Sequence, residues 1–489
     1  MSFSQSQIPD MLRAGAVNSN PAQRIDTDVL DPVVSQDGVN GFIRFNLMNK
    51  GLLNPASRIT FSTKAVGHNA FYSMGVGVGG IVAKSSLKIG GKTICEVQDF
   101  PHYFGYKSSF VEQEVNKERE SFMSARSMAN EVVAEVPNAS SSYVDSKFVG
   151  IDSGREPVVD YQTDPTTPSS DTELLDQLHI DNLPVFSIRL DDLIPALRNV
   201  MLPLYTLTEE VQIELQLTAF SNARISFSGD FTTGPASNPS ALDTPLDLAE
   251  CQLIADYTFL SGDAMSKFQV NNPRLDYTFL EPRMTRSTLA TQADADNQVR
   301  NIGGAGRFVN KVFAGITSSK MASPHNASGN SFTLLNSYRA IAPSQKVDIT
   351  TGLEIPGAYS QLTTNIKKND RFLYPIDRKS SALHYHGVND AEGAPIECTR
   401  DMYARQGSVA GGLTDDTFEG HVVDQQLSGQ YFYNAYRMND GERVNFRGLE
   451  LHNKLPTMKA SEFPLIQRVY IEMQKVMVID NGIVDCYYR

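Results

Sequence analysis

The chain has no tryptophan, four cysteines and no long apolar run. Each shortage removes a class of protein. Cys95, Cys251, Cys398 and Cys486 are scattered without a Cys-x-x-Cys pair, so neither a zinc ribbon nor a dense disulfide framework is available. Isolated buried thiols made in a reducing compartment fit that spacing. No stretch approaches the ~18 apolar residues of a membrane-spanning helix. Met1 to Asn20 lacks the apolar centre of a signal peptide, which predicts synthesis in a cytosol. Basic residues are also in the minority, 43 against 56 acidic, for a formal charge of −13. Neutralising phosphates needs an excess of Lys and Arg, so no specific nucleic-acid binding is expected. An acidic surface instead keeps a protein soluble at high concentration.

What is present suits β-structure. Hydrophobic residues make up 41% of the 489 positions, with 25 Phe and 19 Tyr supplying bulk, which is enough for a core in each half. One pattern occurs near the end of both halves. Val211-Gln212-Ile213-Glu214-Leu215-Gln216-Leu217 and Val469-Tyr470-Ile471-Glu472-Met473-Gln474 both alternate apolar and polar. Successive strand side chains point to opposite faces, so each run has one buried face and one wet or contact face. Both follow a Leu/Pro approach, Met201 to Leu204 and Phe463 to Leu465. Two similar β-units in series follow from this repeat.

Residues 1–40 are polar and broken by Pro21 and Pro32, which predicts an extended N-terminal arm. The first unit then spans 41–248 and the second 249–489. In the first, Phe42–Leu47, Arg58–Ser62 and Pro184–Leu190 are expected strands. Leu87–Ile89, Gly90-Gly91 and Thr93–Val97 form an expected hairpin, because the glycines supply the positive φ of a tight turn. Val111–Val133 has helical character, and 137–176 is a long polar loop. The second unit is expected to open with Leu253–Leu260. Strands are also expected at Asp276–Leu280, Phe308–Thr317, Ser331–Ile341, Gln430–Tyr436 and Val444–Arg447. A loop fills most of 377–429. Asp480-Asn481-Gly482 turns the final hairpin. Many short strands with long polar loops make an all-β pattern of two consecutive eight-stranded antiparallel jelly rolls with short helices.

Reactive constellations are weak. Gly75 to Gly80 superficially resembles a dinucleotide loop but opens no helix and lacks the acidic residue that would hold a ribose. Gly90-Gly91-Lys92-Thr93 resembles the end of a phosphate loop, but Ser86 stands where that motif needs glycine. His384 and His386, placed on one face of a strand, with His421 and Glu392, are the nearest approach to a metal site. Exposed loop histidines account for them better. Asp191-Asp192 suits the start of a short helix more than acid–base work. Asp415-Asp416 lacks the ligand spacing of a calcium loop. Asn138-Ala139-Ser140 and Asn326-Ala327-Ser328 fit the glycosylation pattern, which means little without a secretion signal. No catalytic, cofactor-binding or metal residue is assigned, and no enzyme activity is expected.

The polar arm, the opening strand Ile43-Arg44-Phe45, the segment Leu183 to Leu193, the Leu/Pro approach to Val211–Leu217 and the run Asp256-Tyr257-Thr258-Phe259-Leu260 occur in that order. This order resembles the double jelly-roll major capsid proteins of tailless icosahedral double-stranded DNA viruses, the virophage and Polinton-like branch above all. The resemblance implies a homotrimer of pseudo-hexameric outline that tiles a virion shell. Its implied partners are neighbouring capsomers, penton proteins and minor or cement proteins. It leaves open whether a membrane lies beneath. It also implies that the long loops form an outward tower and that the arm reaches along the inner side. A minor or vertex capsid protein, or a carbohydrate-binding β-sandwich protein, are the alternative readings. The latter generally needs aromatic platforms and paired carboxylates, which tryptophan's absence makes scarce. Ile213→Asp is expected to place a charge in a roll's core at a cost of ~4 kcal/mol or more. Light scattering should then find no soluble trimer.

Overall fold

The computed structural model describes residues 24–36, 41–62, 70–72, 76–108, 123–124, 136–137, 143–144, 185–198, 200–218, 224–227, 239–241, 251–289, 298–318, 363–379, 381–392, 433–438, 441–454 and 465–489. Four antiparallel sheets carry the architecture and pack as two jelly rolls. In the first roll, one sheet runs Arg24–Leu30, Leu253–Phe259, Arg58–Ser62, Val185–Arg189, with Leu52–Leu53 joined to its second strand. The facing sheet runs Val34–Gln36, Phe42–Leu47, Val211–Leu217, Val82–Ile89, Lys92–Gln98. In the second roll, one sheet runs Arg274–Leu289, Leu465–Asp480, Val309–Ser318, Tyr433–Arg437, and Ile483–Tyr488 also pairs with its second strand. The opposite sheet runs Gln298–Gly303, Leu449–Lys454, Thr363–Lys368, Arg371–Phe372.

Alternation sets the register of the central strands. Val211–Leu217 pairs Ile213 with Phe45 on one side and with Leu87 on the other, and all three are buried. A one-residue slip would turn Glu214 inward instead, so the pattern tolerates one pairing only. Glu214 sits on the other face, where Arg44 and Lys88 neutralise it. The expected hairpins form where the sequence puts them. Gly90 and Gly91 have φ of +57° and +77° between Val82–Ile89 and Lys92–Gln98. Asn481 and Gly482 have φ of +50° and +86° between Leu465–Asp480 and Ile483–Tyr488.

Several segments differ from expectation. Residues 24–36 are not a free arm. Arg24–Leu30 and Val34–Gln36 are strands on the edges of the first roll's two sheets. Leu253–Phe259, expected to open the second unit, pairs with Arg24–Leu30 and Arg58–Ser62 in the first. Its backbone completes a sheet begun two hundred residues earlier, a non-local pairing that no local pattern reveals. The helix Gly262–Asn271, capped by the Ser261 hydroxyl, follows it. Val444–Arg447 is loop and turn, because Gly448 (φ +78°) redirects the chain before the strand Leu449–Lys454 starts. Gly77–Ile81 is a buried 3-10 turn, and a Cβ on Gly79 would lie 2.7 Å from the Phe104 ring. These glycines serve packing.

Ser381–Glu392 is a helix within the expected loop. His384 and Val388, one turn apart, are both fully buried. The expected helix 111–133, apart from 123–124, lies outside the described residues. So do most of the loops 137–176 and 377–429 and the expected strand Ser331–Ile341.

The Gly482 turn touches the first roll: a Cβ there would lie 2.8 Å from the Thr206 carbonyl oxygen, whereas one on Gly91 would meet nothing within 4 Å. Gly482→Ala is therefore expected to cost about 3 kcal/mol, and Gly91→Ala only about 1 kcal/mol for its positive φ. Denaturant unfolding of the two variants measures the difference.

Candidate functional site at the seam between the rolls

The strand Leu465–Asp480 is buried on both faces. Val469, Ile471 and Met473 enter the second roll's own core beside Val312, Ile366, Leu449 and Leu451. The alternate residues Arg468, Tyr470 and Glu472 face the first roll, and Glu472 retains 2% exposure. Opposite them stands the helix Phe100–Ser108, whose Tyr103 and Tyr106 are also buried. The polar half of an alternating strand thus meets another domain instead of water.

Two balanced clusters hold this seam. In the first, Lys107 Nζ lies 2.7 Å from Glu472 and 3.1 Å from Glu392. Lys311 Nζ lies 2.6 Å from Glu392 and 3.3 Å from Glu472. Tyr106 donates its hydroxyl to Glu392 at 3.1 Å. In the second, Arg468 pairs with Asp99, and Tyr470 donates to the Asp99 carbonyl oxygen at 2.9 Å. The His102 Nδ1 lies 2.8 Å from the Asp99 carboxylate. Between the clusters, Tyr106 stacks on Phe313 at 3.8 Å and Phe313 on Tyr470 at 5.1 Å.

Further along the seam, Glu281 accepts from Lys475 Nζ at 3.1 Å and from the Glu96 backbone N–H at 3.2 Å. Glu209 accepts the Val484 N–H at 2.7 Å, and Thr208 donates its backbone N–H to the Gly482 carbonyl at 3.0 Å.

The environment acts on each group in a definite direction. Burial pushes the Glu472 carboxyl up, but Lys107 and Lys311 outweigh it and hold it at about 2. Burial likewise opposes ionisation of Asp99, yet His102 and Arg468 keep it well below the usual carboxylate range. Burial lowers the His102 imidazole despite the pull of Asp99. Burial would lower Lys107 too, but Glu392 and Glu472 raise it. Tyr103, Tyr106 and Tyr470 are pushed up by burial and stay protonated. The seam is thus an array of fixed charges, each with its counter-charge, suited to holding two bodies in one geometry.

Among the described residues, those that the sequence suggested for chemistry do not converge. His384 and His386 lie on a helix, not a strand, so two positions apart they face different ways. His384 is buried and its Nε2 lies 3.1 Å from the Thr364 hydroxyl, while His386 is exposed. Glu392 is taken up by Lys107 and Lys311. Among the described residues no group of three His, Cys, Asp or Glu could hold a metal ion. Asp191 and Asp192 lie in the first turn of the short helix Leu190–Leu193, and Asp191 accepts from Arg189 Nε at 2.8 Å. Cys95, Cys251 and Cys486 are free thiols. No helix among the described residues is long and apolar enough to cross a membrane. His421, Asp415, Asp416, Cys398 and both Asn-Ala-Ser motifs lie outside the described residues.

Sequence reasoning missed Asp99, Lys107, Lys311 and Glu472 as partners. A signal for the helix was available in Phe100, Tyr103, Phe104 and Tyr106, aromatic residues at helical spacing.

Neither a protein-family model nor a curated protein matches the chain. Solved structures do. The PBCV-1 virus capsid superposes with a TM-score of 0.55 at 11% identity, covering 97% of this chain and 98% of that one. The Sputnik virophage gives 0.53 at 10% identity, with 97% and 90% covered. The Faustovirus major capsid protein gives 0.50 at 8% identity, with 94% and 92% covered. At such identities the likeness is one of fold, and it runs through both rolls.

Glu472→Gln leaves two buried ammoniums with one carboxylate between them, so a loss of ~3–5 kcal/mol at neutral pH is expected. The folded carboxyl of Glu472 ionises below its unfolded range of ~4.3, so its stabilisation is complete above that pH. It is lost as pH falls through about 2. Melting temperatures from pH 7 to 2 should therefore fall more steeply below ~4.3 in the parent chain than in Glu472→Gln.

Proposed function

We propose that this chain is the major capsid protein of an icosahedral virus, and that three copies form one tile of pseudo-hexagonal outline. The observation that carries this reading is the pairing of two consecutive jelly rolls through a buried, charge-balanced seam. A β-domain with a catalytic or carbohydrate site needs a cleft with converging groups. Here the converging groups lie between the rolls and neutralise one another. Two rolls fixed side by side present one broad rigid body, which suits covering a surface. The solved structures of similar fold come from a virus capsid, a virophage and a major capsid protein.

On this reading the chain resides in the virion, and its partners are its own copies, neighbouring tiles, penton proteins and minor proteins. The division between rolls belongs at the helix Gly262–Asn271, after the strand Leu253–Phe259 that completes the first roll. Cyclic threefold symmetry needs a heterologous contact that closes on itself.

Light scattering of the purified chain should give the mass of three chains, stable to dilution. Electron microscopy should show particles of sixfold outline. A monomer at every concentration, or a lobed particle of another symmetry, would sink the proposal.

A further inference from the structure

The molecule has two lateral ends, and both expose apolar side chains that a lone soluble chain would be expected to cover. At the first roll, the seam side is marked by Lys92–Gln98, from which Lys92 reaches Val484 and the Glu96 backbone N–H meets Glu281. Val34–Gln36 stands at the other end of that sheet, and Arg24–Leu30 is an edge strand of the facing one. These two edges carry Ile25 (66% exposed), Val29 (58%), Val33 and Val34. At the second roll, the sheet containing Gln298–Gly303 lies across the core from the seam, because Ile366, Leu449 and Leu451 meet the inner face of Leu465–Asp480. That far sheet and its end loop expose Val299, Phe372 and Phe446, the last at 98%.

The loop that carries Phe446 is braced on both sides of it. Asn445 donates its backbone N–H to the Asn369 side chain at 2.7 Å, and the Arg447 guanidinium pairs with Asp370 at 2.7 Å. Val444 and Arg307 are joined through their backbones at 3.0 Å. The Phe446 ring, 98% exposed, gains no apolar contact among the described residues. The two ends also differ in charge. The first carries Asp26, Asp28 and Asp31 against Arg24 and Lys50, which pair with Asp26 and Asp28, and so is acidic by one charge. The second carries exposed Arg300, Arg371, Arg443 and Arg447 against exposed Asp370 and Glu442, with Arg447 paired to Asp370, and so is basic by two charges in a chain of net charge −13.

We infer that the Phe446 end of one copy docks on the Ile25–Val29 edge of the next copy, head to tail. The occupant is a second copy of this chain. Apolar surface meets apolar surface, and the end with a net positive charge meets the end with a net negative one. Because the two patches sit on different rolls, the contact is heterologous and can close into a ring. This inference rests on the tile reading and names the surfaces that would build it.

The test uses the full chain and three variants: Phe446→Asp, Phe446→Ala, and Ile25→Asp combined with Val29→Asp. All the altered positions are exposed, so each variant should fold with the parent's far-ultraviolet circular dichroism, and its melting temperature should fall only by what loss of the trimer removes. Light scattering should show loss of the trimer for both Asp variants. Phe446→Ala should dissociate at a higher concentration than the parent. Each Asp variant keeps one good patch, so an equimolar mixture should give a two-chain species by native mass spectrometry. A parent trimer with Asp variants that remain trimeric, or a mixture that stays monomeric, overturns this contact while leaving the tile intact. A parent that is monomeric throughout removes the tile reading itself.

Discussion

Charge taken out of water must be answered at short range, and that requirement shapes the centre of this molecule. Lys107, Lys311, Glu392 and Glu472 lie within a few ångströms of one another, away from solvent. Any one of them alone would be a severe penalty in a low-dielectric interior. Together they are neutral. Lys107 comes from the first roll, while the other three come from the helix and strands of the second. The set is complete only when both rolls are folded and correctly placed. The stacked rings of Tyr106, Phe313 and Tyr470 add contact area, and the ion pairs give that contact a direction.

The apolar packing follows the same plan. One cluster begins in the first roll at Phe45, Leu87 and Ile213 and continues through Tyr103 and Phe104 into Phe313, Tyr470 and Met477. The second roll adds a core of its own around Val312, Ile366 and Ile471. The first core therefore extends across the boundary that divides the chain into rolls. Hinge motion between the rolls would have to open this packing as well as the ion pairs, so a single rigid body is the expected behaviour.

Much of this was legible from residue order, and the failures share a cause. Ile213 and its neighbours announced a half-buried strand because alternation is a local signal. Gly90-Gly91 and Asn481-Gly482 announced turns because positive φ has few suitable residues. Leu253–Phe259 was equally clear as a strand, but its partners Arg24–Leu30 and Arg58–Ser62 are remote in sequence, so its allegiance could not be read. Glu472 looked like a residue on a wet face, since nothing nearby tells whether a polar face meets water or another domain. His384 was misread because the helix Ser381–Glu392 is only weakly amphipathic, so its sequence carries little helical signal. A Cβ on Gly387 would lie 2.0 Å from the Arg378 guanidinium, so that glycine admits the arginine against the helix.

The strands Arg274–Leu289 and Leu465–Asp480 are paired at all 16 positions. At ~3.3 Å per residue, this ladder is about 50 Å long. In the tile proposed above, it would act as a strut that sets the wall's thickness. Changes in length elsewhere in the chain would then leave that thickness, and the volume enclosed, as they were.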